Sequence, residues 1–449
     1  MRDLVVVVPG IMGSVLSRDG KPVWSTETAA LVRGLGGITK TLAGLALPDD
    51  IGDSAPHGRE ALKAPYLMRG WSVWPGSLVA EGYAKLLDHF REQETASRVK
   101  VVTMPYDWRL SNRYTALRLR DFIDDELSHW RQESEQPDAK AVIVAHSMGG
   151  LVARYCLEVL GVRDRVRRLI TLGTPYRGSV KALGMVTGHM PEWVPGRVSE
   201  GLHRAAVSMP GLWQLLPTYP CFSPSGSDTP IGLTEARLPG LDAGKLADAV
   251  RFHKEIADAV AANGAPPYTH HVFVGVRQGT PQAAAATSGG RWVYAERPLD
   301  RRYAGDGTVP RLSAFPPEWP DDAHATHLPF GHTALPNKRS SLEQVWCKIL
   351  AVETGATMSV PVELGLDLPD IAPSGAPLEV RALSNHERHA FQARLLDPRD
   401  MGLVAQRQFV PQGGGHYRTE LQAPAGIWIL EGQSLKNPDV LVQQPITLV

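Results

Sequence analysis

Five short runs in the first two thirds of the chain are almost wholly apolar: Leu4–Val8, Val99–Met104, Val142–Ala145, Leu169–Leu172 and His271–Val276. Runs of this length without polar alternation predict strands buried on both faces, as in a parallel sheet. Between them the apolar positions recur at helical spacing. Leu119, Phe122, Ile123, Leu127 and Trp130 share one face behind a candidate cap, Ser111. Leu151, Val152, Tyr155, Cys156 and Val159 follow Gly149, and Leu246, Val250, Ile256 and Val260 mark a third helix. Ser340 and Glu343 read as a capping box opening a fourth, with Leu342, Val345, Trp346, Ile349 and Leu350 inward. Strands alternating with helices predict an α/β fold with a mainly parallel sheet.

Two segments break the alternation, residues 21–82 and 178–237, and both are too long for ordinary connections. They are expected to be cap or lid insertions within a catalytic domain spanning residues 1–355. From about Val360 the period changes from 3.6 to two. Val360/Val362/Leu364/Leu366, Leu378/Val380/Ala382, Phe391/Ala393/Leu395, Tyr417/Thr419/Leu421 and Ile427/Ile429 alternate between Gly and Pro turns. Residues 356–449 are therefore expected to form a separate, immunoglobulin-like β-sandwich of about six antiparallel strands.

Composition narrows the function classes. Lys plus Arg and Asp plus Glu each number 47, so the net charge is zero, which argues against nucleic acid as a partner. Three cysteines, Cys156, Cys221 and Cys347, are too few for a disulfide framework and suit a reducing compartment. No run approaches the roughly 18 apolar residues of a membrane span. Leu4–Val8 is shorter than a signal-peptide core and ends at Pro9-Gly10. The expected location is the cytoplasm, a composition that leaves room for peripheral contact with a membrane. Arg163, Arg165, Arg167 and Arg168 form a basic cluster, read as a solvated surface or, alternatively, a contact for anionic lipid heads.

The chemistry centres on Ser147. The strand ending at Ala145 runs into His146-Ser147-Met148-Gly149-Gly150 and then a helix, which is the setting of a nucleophile elbow, here as A-x-S-x-G. A serine hydroxyl needs a base, and the base needs an orienting acid. In an elbow fold the order is Ser, acid, His. Asp306, between two glycines, and His332, 26 residues later in another Gly-flanked loop, satisfy that order. Asp300, Asp321 and Asp322 compete for the acid, and His324 and His327 for the base. The oxyanion formed on attack needs two N–H donors. Met148, which follows the nucleophile, offers one; Ile11, or next Met12, in Pro9–Ser14 offers the other.

Five motifs occur in series: V-P-G-I-M-G-S from Val8, P-Y-D-W-R at Pro105–Arg109, A-H-S-M-G-G around Ser147, L-G-T-P-Y-R-G-S at Leu172–Ser179 and G-D-G-T-V-P at Gly305–Pro310. Together they resemble the lecithin:cholesterol acyltransferase family, which includes lysosomal phospholipase A2 and bacterial relatives. The resemblance covers about residues 4–350 and not the β-rich tail. It implies an α/β-hydrolase fold with a cap and mobile lid, and cleavage of a glycerophospholipid acyl ester with transfer to water or an alcohol. It also implies Ser147 as nucleophile, Asp306 as acid, His332 as base, Ile11 and Met148 as oxyanion donors, and a structural ion pair between Asp107 and Arg109. No metal and no organic cofactor is expected, since this chemistry needs neither. The sequence departs from the animal members in lacking a secretory signal and an obvious cysteine-closed lid loop, and in adding the tail.

Methionine and tryptophan suit an adaptable apolar wall at a lipid boundary. Trp71, Trp74, Met209 and Trp213 are accordingly expected to contact a lipid substrate, beside Met185, Met190, Trp193 and Leu216; the plain alternative is that they fill the caps' own cores. Two further readings stand beside the lipid-ester one. The first is a carboxylesterase or triacylglycerol lipase for other esters, and the second an inactive hydrolase scaffold serving as a binding module.

Overall fold

The computed structural model describes residues 3–25, 44–49, 51–58, 61–70, 82–97, 99–189, 196–227, 229–287, 292–295, 305–350, 364–368, 371–384, 389–398, 400–436 and 440–448. The apolar runs become a six-stranded sheet: β1 (Leu4–Val8), β2 (Lys100–Thr103), β3 (Ala141–His146), β4 (Val166–Leu172), β5 (Thr269–Gly275) and β6 (Thr326–Leu328). Their spatial order is β6-β5-β4-β3-β1-β2, and every pairing is parallel. β1 and β3 are buried throughout because the sheet is covered on both sides. Leu4, Val6, Val8, Ile143 and Ala145 face one apolar core, whereas Val5, Val7, Val142 and Val144 face the other. At roughly 1.5–3 kcal/mol for each fully buried aliphatic side chain, these two strands are a principal source of the fold's stability.

Helices α1 (Ala84–Ser97), α2 (Asn112–Ser134), α3 (Met148–Arg154), α4 (Ala243–Asn263) and α5 (Arg339–Leu350) supply the covering layers. Ser111 caps α2 as its sequence predicts, its hydroxyl accepting from the Arg113 N–H. On the opposite side Phe90 of α1 packs against Trp346 of α5, ring centres 5.2 Å apart. The expected capping box is not formed. α5 begins at Arg339, so Ser340 lies inside the helix, and Glu343 pairs instead with the Arg339 guanidinium at 2.8 Å. This is an α/β-hydrolase architecture.

Part of the first cap segment, 21–82, is described: Lys21–Trp24, which forms a hairpin with Leu16–Arg18 just before the segment, and the coil around residues 44–70. Trp71 and Trp74 lie outside the described residues, as do Met190 and Trp193. The second holds helices Val180–Thr187, Gly196–Val207 and Pro210–Trp213. It also gives Phe222–Ser223 to a small sheet with Ala283–Ala286 and Trp292–Ala295. Those last two strands come from after β5, so the cap is built from one more chain segment than expected.

The tail forms two sheets, of four and five strands, with a core drawn entirely from its own residues. Leu378–Ser384 and His416–Leu421 show the alternation that betrayed them in sequence. Nine strands are described here rather than about six. Leu403–Gln408 and Val410–Gly413 are largely exposed strands without an inward apolar set, and Gln443, Gln444 and Pro445 interrupt the pattern in Leu441–Leu448. One pairing, Ile371–Ala372 with Thr447–Leu448, is parallel. The boundary between 355 and 356 lies outside the described residues. A self-contained core leads us to expect that a chain ending at residue 355 stays soluble and melts cooperatively in circular dichroism. Loss of its cooperative transition would mean that the tail completes the first domain's core.

Candidate active site

The site lies at the carboxyl edge of the sheet, where loops leave parallel strands and side chains from several of them converge. Ser147 follows β3 and precedes α3 with φ 55° and ψ −127°, a conformation that costs a non-glycine residue energy. The chain holds it there through Ser147 N–H to the Leu172 carbonyl at 2.9 Å and Gly150 N–H to the Ser147 carbonyl at 3.0 Å. The turn is tight enough that a Cβ on Gly149 would stand 2.4 Å from the Pro9 carbonyl oxygen. Here a small residue is a steric requirement.

His332 reaches Ser147 from the loop after β6. Its Nε2 lies 2.8 Å from Ser147 Oγ, and its Nδ1 lies 2.6 Å from Asp306 Oδ2. An ionised carboxylate only accepts, so the ring proton sits on Nδ1 and leaves Nε2 free to accept from the serine hydroxyl. The second Asp306 oxygen accepts from the N–H groups of Thr308 and Val309 at 2.9 and 2.7 Å. His332 N–H also donates to the Asp306 carbonyl at 2.8 Å, so the two loops are joined by main chain as well as side chain. Thr280 adds support that sequence reasoning missed, its hydroxyl accepting from the Gly305 and Gly307 N–H groups at 3.0 and 2.8 Å.

The competing residues go elsewhere. His327 bonds Asp322 at 2.9 Å, and Asp322 also holds the Arg311 guanidinium at 2.5 Å. His324 stacks edge-on to Trp319, and Asp321 accepts from the Ala323 N–H. Asp300 lies outside the described residues.

Pro9–Ser14, the loop after β1, lies directly on Ser147: a Cβ on Gly10 would come within 2.7 Å of Ser147 Cβ. Among the described residues, no acceptor takes the Ile11 N–H. Met148 is the first residue of α3, so its N–H has no partner within the helix. Neither N–H expected from the sequence as a donor is thus taken up by an acceptor among the described residues.

Met209 and Trp213 do not stand at an open wall. Both are buried in the large core that the cap shares with one face of the sheet, at 5% and 3% exposure, and the Trp213 indole donates to the Val207 carbonyl at 3.0 Å. Packing holds both side chains within the protein in this conformation. The Arg cluster is likewise engaged within the chain. Arg163 binds the Asn263 and Gly264 carbonyls, Arg165 pairs with Asp124, Arg167 with Asp3, and Arg168 donates to the Ile349 carbonyl. Asp107 and Arg109 form the expected ion pair, with bonds of 2.8 and 2.6 Å, and Arg109 is fully buried.

Burial of histidines gives the fold a signed pH dependence. Burial, with His332 alongside, pushes the His146 ring down to about 3; burial lowers His253 and His271 to about 4 and His270 well below its ordinary value. Between pH 6.5 and these values the unfolded chain binds protons that the native chain does not. Stability is therefore fully present above about 6.5 and is lost as pH falls toward 4, each such proton contributing about 1.4 kcal/mol per pH unit. Melting temperature should be level near neutral pH and fall steeply below about pH 6. His253→Gln, which can keep the bond to the Gln214 carbonyl, should flatten that slope. A melting temperature unchanged down to about pH 4.5 would contradict the assignment.

Residues 76–217 match the family model described as Lecithin:cholesterol acyltransferase. That segment contains P-Y-D-W-R, the Ser147 elbow and the whole of Leu172–Ser179, and over it the resemblance read from the motifs is borne out. Among solved structures, the chain is similar to the lipase BlEst2 of Bacillus licheniformis in mature form. The identity is 14%, covering 78% of this chain and 92% of that one, with a TM-score of 0.34. It is also similar to phospholipase PlaB of Legionella pneumophila, at 10% identity over 99% of this chain and 88% of that one, with a TM-score of 0.33. No curated protein sequence matches the chain.

Proposed function

Starting from the family match over residues 76–217, we propose that the chain is a serine acyl hydrolase or acyltransferase that cleaves an acyl ester of a phospholipid or similar lipid through an acyl-enzyme. The observation that carries this reading is the unbroken chain Asp306–His332–Ser147, with bonds of 2.6 and 2.8 Å, ending on a serine held at a strained elbow.

In the proposed mechanism Ser147 Oγ attacks the ester carbonyl carbon while its proton passes to His332 Nε2. Asp306 keeps the ring in the right tautomer and stabilises the imidazolium. The carbonyl oxygen becomes an oxyanion that accepts from the Ile11 and Met148 N–H groups, each such donor contributing about 10²–10³ in rate. The intermediate collapses by breaking the bond to the leaving alkoxide, which takes the proton from His332. Water or an alcohol then gives His332 a proton and attacks the acyl-enzyme, and a second collapse frees Ser147. The proposal includes a cytoplasmic location with peripheral contact at a membrane, where the lipid would be drawn from the bilayer.

Mass spectrometry of a mixed lipid extract incubated with the protein, with and without added alcohol, tests this reading. Free fatty acid with lysolipid is the expected product, and a new ester on adding alcohol would identify the transferase branch. Hydrolysis of short soluble esters with intact phospholipids would overturn the lipid assignment in favour of a carboxylesterase.

A further inference from the structure

The loop offered here as the oxyanion donor is held from outside by aromatic side chains. The Pro9 carbonyl accepts from the Tyr106 hydroxyl at 2.8 Å, the Met12 carbonyl from the Trp24 indole at 3.3 Å and the Ser14 carbonyl from the Trp108 indole at 3.2 Å. Tyr106 N–H also donates to Ser14 Oγ at 3.1 Å. Tyr106 and Trp108 are the aromatic members of P-Y-D-W-R, so this motif supports the loop while its Asp and Arg bind each other. Gly10 N–H donates to the Tyr83 hydroxyl at 2.8 Å.

Tyr83 does more than end that bond. Having accepted from Gly10, its hydroxyl donates to His146 Nδ1, 2.8 Å away. His146 must then carry its proton on Nε2, which donates to the main-chain carbonyl of His332 at 3.0 Å. The result is one directed chain: Gly10 N–H to Tyr83, Tyr83 to His146, His146 to the His332 carbonyl. It joins the oxyanion loop to the base loop through the residue next to the nucleophile. Tyr83 and His146 are buried, and the two rings meet edge to face. Burial lifts the Tyr83 hydroxyl well above its ordinary range and keeps His146 neutral, so the chain holds one protonation state throughout the working range of pH.

We propose that Tyr83 and His146 are positioning residues of the reaction, fixing the oxyanion loop and the His332 loop in register on either side of Ser147. The inference rests on the proposed acyl-enzyme chemistry and adds a support that the triad and oxyanion donors do not include. Neither residue touches substrate. Their work is to spare the site reorganisation, because donors already aimed at the developing charge stabilise it without moving.

The test is steady-state kinetics of full-length Tyr83→Phe, His146→Gln and the double variant on a short soluble ester, together with the affinity of each for an alkyl boronic acid, which forms a tetrahedral anion on the serine. Tyr83→Phe keeps the ring and removes one oxygen. It should lower kcat by about 10–100-fold, as a small misplacement of reacting groups does, with KM within about threefold. Boronate affinity should fall in parallel with kcat. The double variant should lose no more than about the larger single loss, because both substitutions cut the same chain. Residues that merely support folding would lower the melting temperature and the active fraction while leaving boronate affinity per active site unchanged, and that result would overturn the proposal. If Tyr83→Phe proves too unstable to assay, His146→Gln reads the same chain. Wild-type kcat in either variant, or losses that multiply in the double variant, would overturn the relay while leaving the triad intact. A wild-type protein without Ser147-dependent turnover would overturn the acyl-enzyme reading and the relay with it.

Discussion

Ser147→Ala and His332→Ala should each lower kcat by about 10⁶-fold, and Asp306→Asn by about 10⁴-fold, with the double variants no worse than the worst single one. The ordering follows from the geometry. Without Oγ there is no nucleophile, and without the His332 ring there is no acceptor for the proton 2.8 Å away. Asp306→Asn is subtler. One side-chain position can still accept from Thr308 and Val309, but the amide then faces His332 Nδ1 with an N–H. The imidazole must turn its lone pair to Nδ1 and place its proton on Nε2, which can no longer accept from serine. His327→Ala, whose native partner is Asp322, should leave turnover near wild type. Full activity in His332→Ala would reassign the base. Circular dichroism melts separate these losses from misfolding.

Gly10→Ala is expected to cost about 10²-fold in kcat and about 1–3 kcal/mol of stability, because it overpacks the site and displaces reacting groups without removing one. Its added methyl would lie 2.7 Å from Ser147 Cβ, 3.2 Å from Oγ and 3.3 Å from the His146 carbonyl oxygen. Neither the elbow nor the strand end behind it can retreat, since Ser147 N–H is bonded to Leu172 and His146 to Tyr83 and His332. The loop must give way, carrying the Ile11 donor with it. Gly10→Val should be worse. Gly20→Ala is the control: its positive φ strains the hairpin turn, but nothing lies within 4 Å of the new methyl. It should cost stability on the order of 1 kcal/mol and leave kcat unchanged. Equal kcat values for Gly10→Ala and Gly20→Ala would show that the Pro9–Ser14 loop does not bear on the reaction.

The parallel sheet was legible because strands buried on both faces leave continuous apolar runs, and Leu4–Val8 coincides with β1 residue for residue. β6 escaped because Thr326–Leu328 is three residues long and only Leu328 is buried. Ser147, Asp306 and His332 could be proposed from elbow chemistry and chain order, with the family resemblance alone preferring His332 to His327, and it is the fold that brings loops 185 residues apart within hydrogen-bonding reach. His146 was visible only as a spacer inside A-H-S-M-G-G, and Tyr83 carried no signal at all. Their partners lie 63 and 73 residues away along the chain, and no local pattern encodes such a contact. Met209 and Trp213 show the converse. Apolar residues in a cap read alike whether they meet a lipid or one another, and only the fold places these two within the core that the cap shares with one face of the sheet.

Reaction with an alkyl fluorophosphonate, followed by intact-mass and peptide mass spectrometry, tests the central claim most directly. The account predicts one stoichiometric adduct, mapped to Ser147, absent in Ser147→Ala and formed orders of magnitude more slowly in His332→Ala. An adduct on another residue, or a folded wild-type protein that takes up no label, would contradict it.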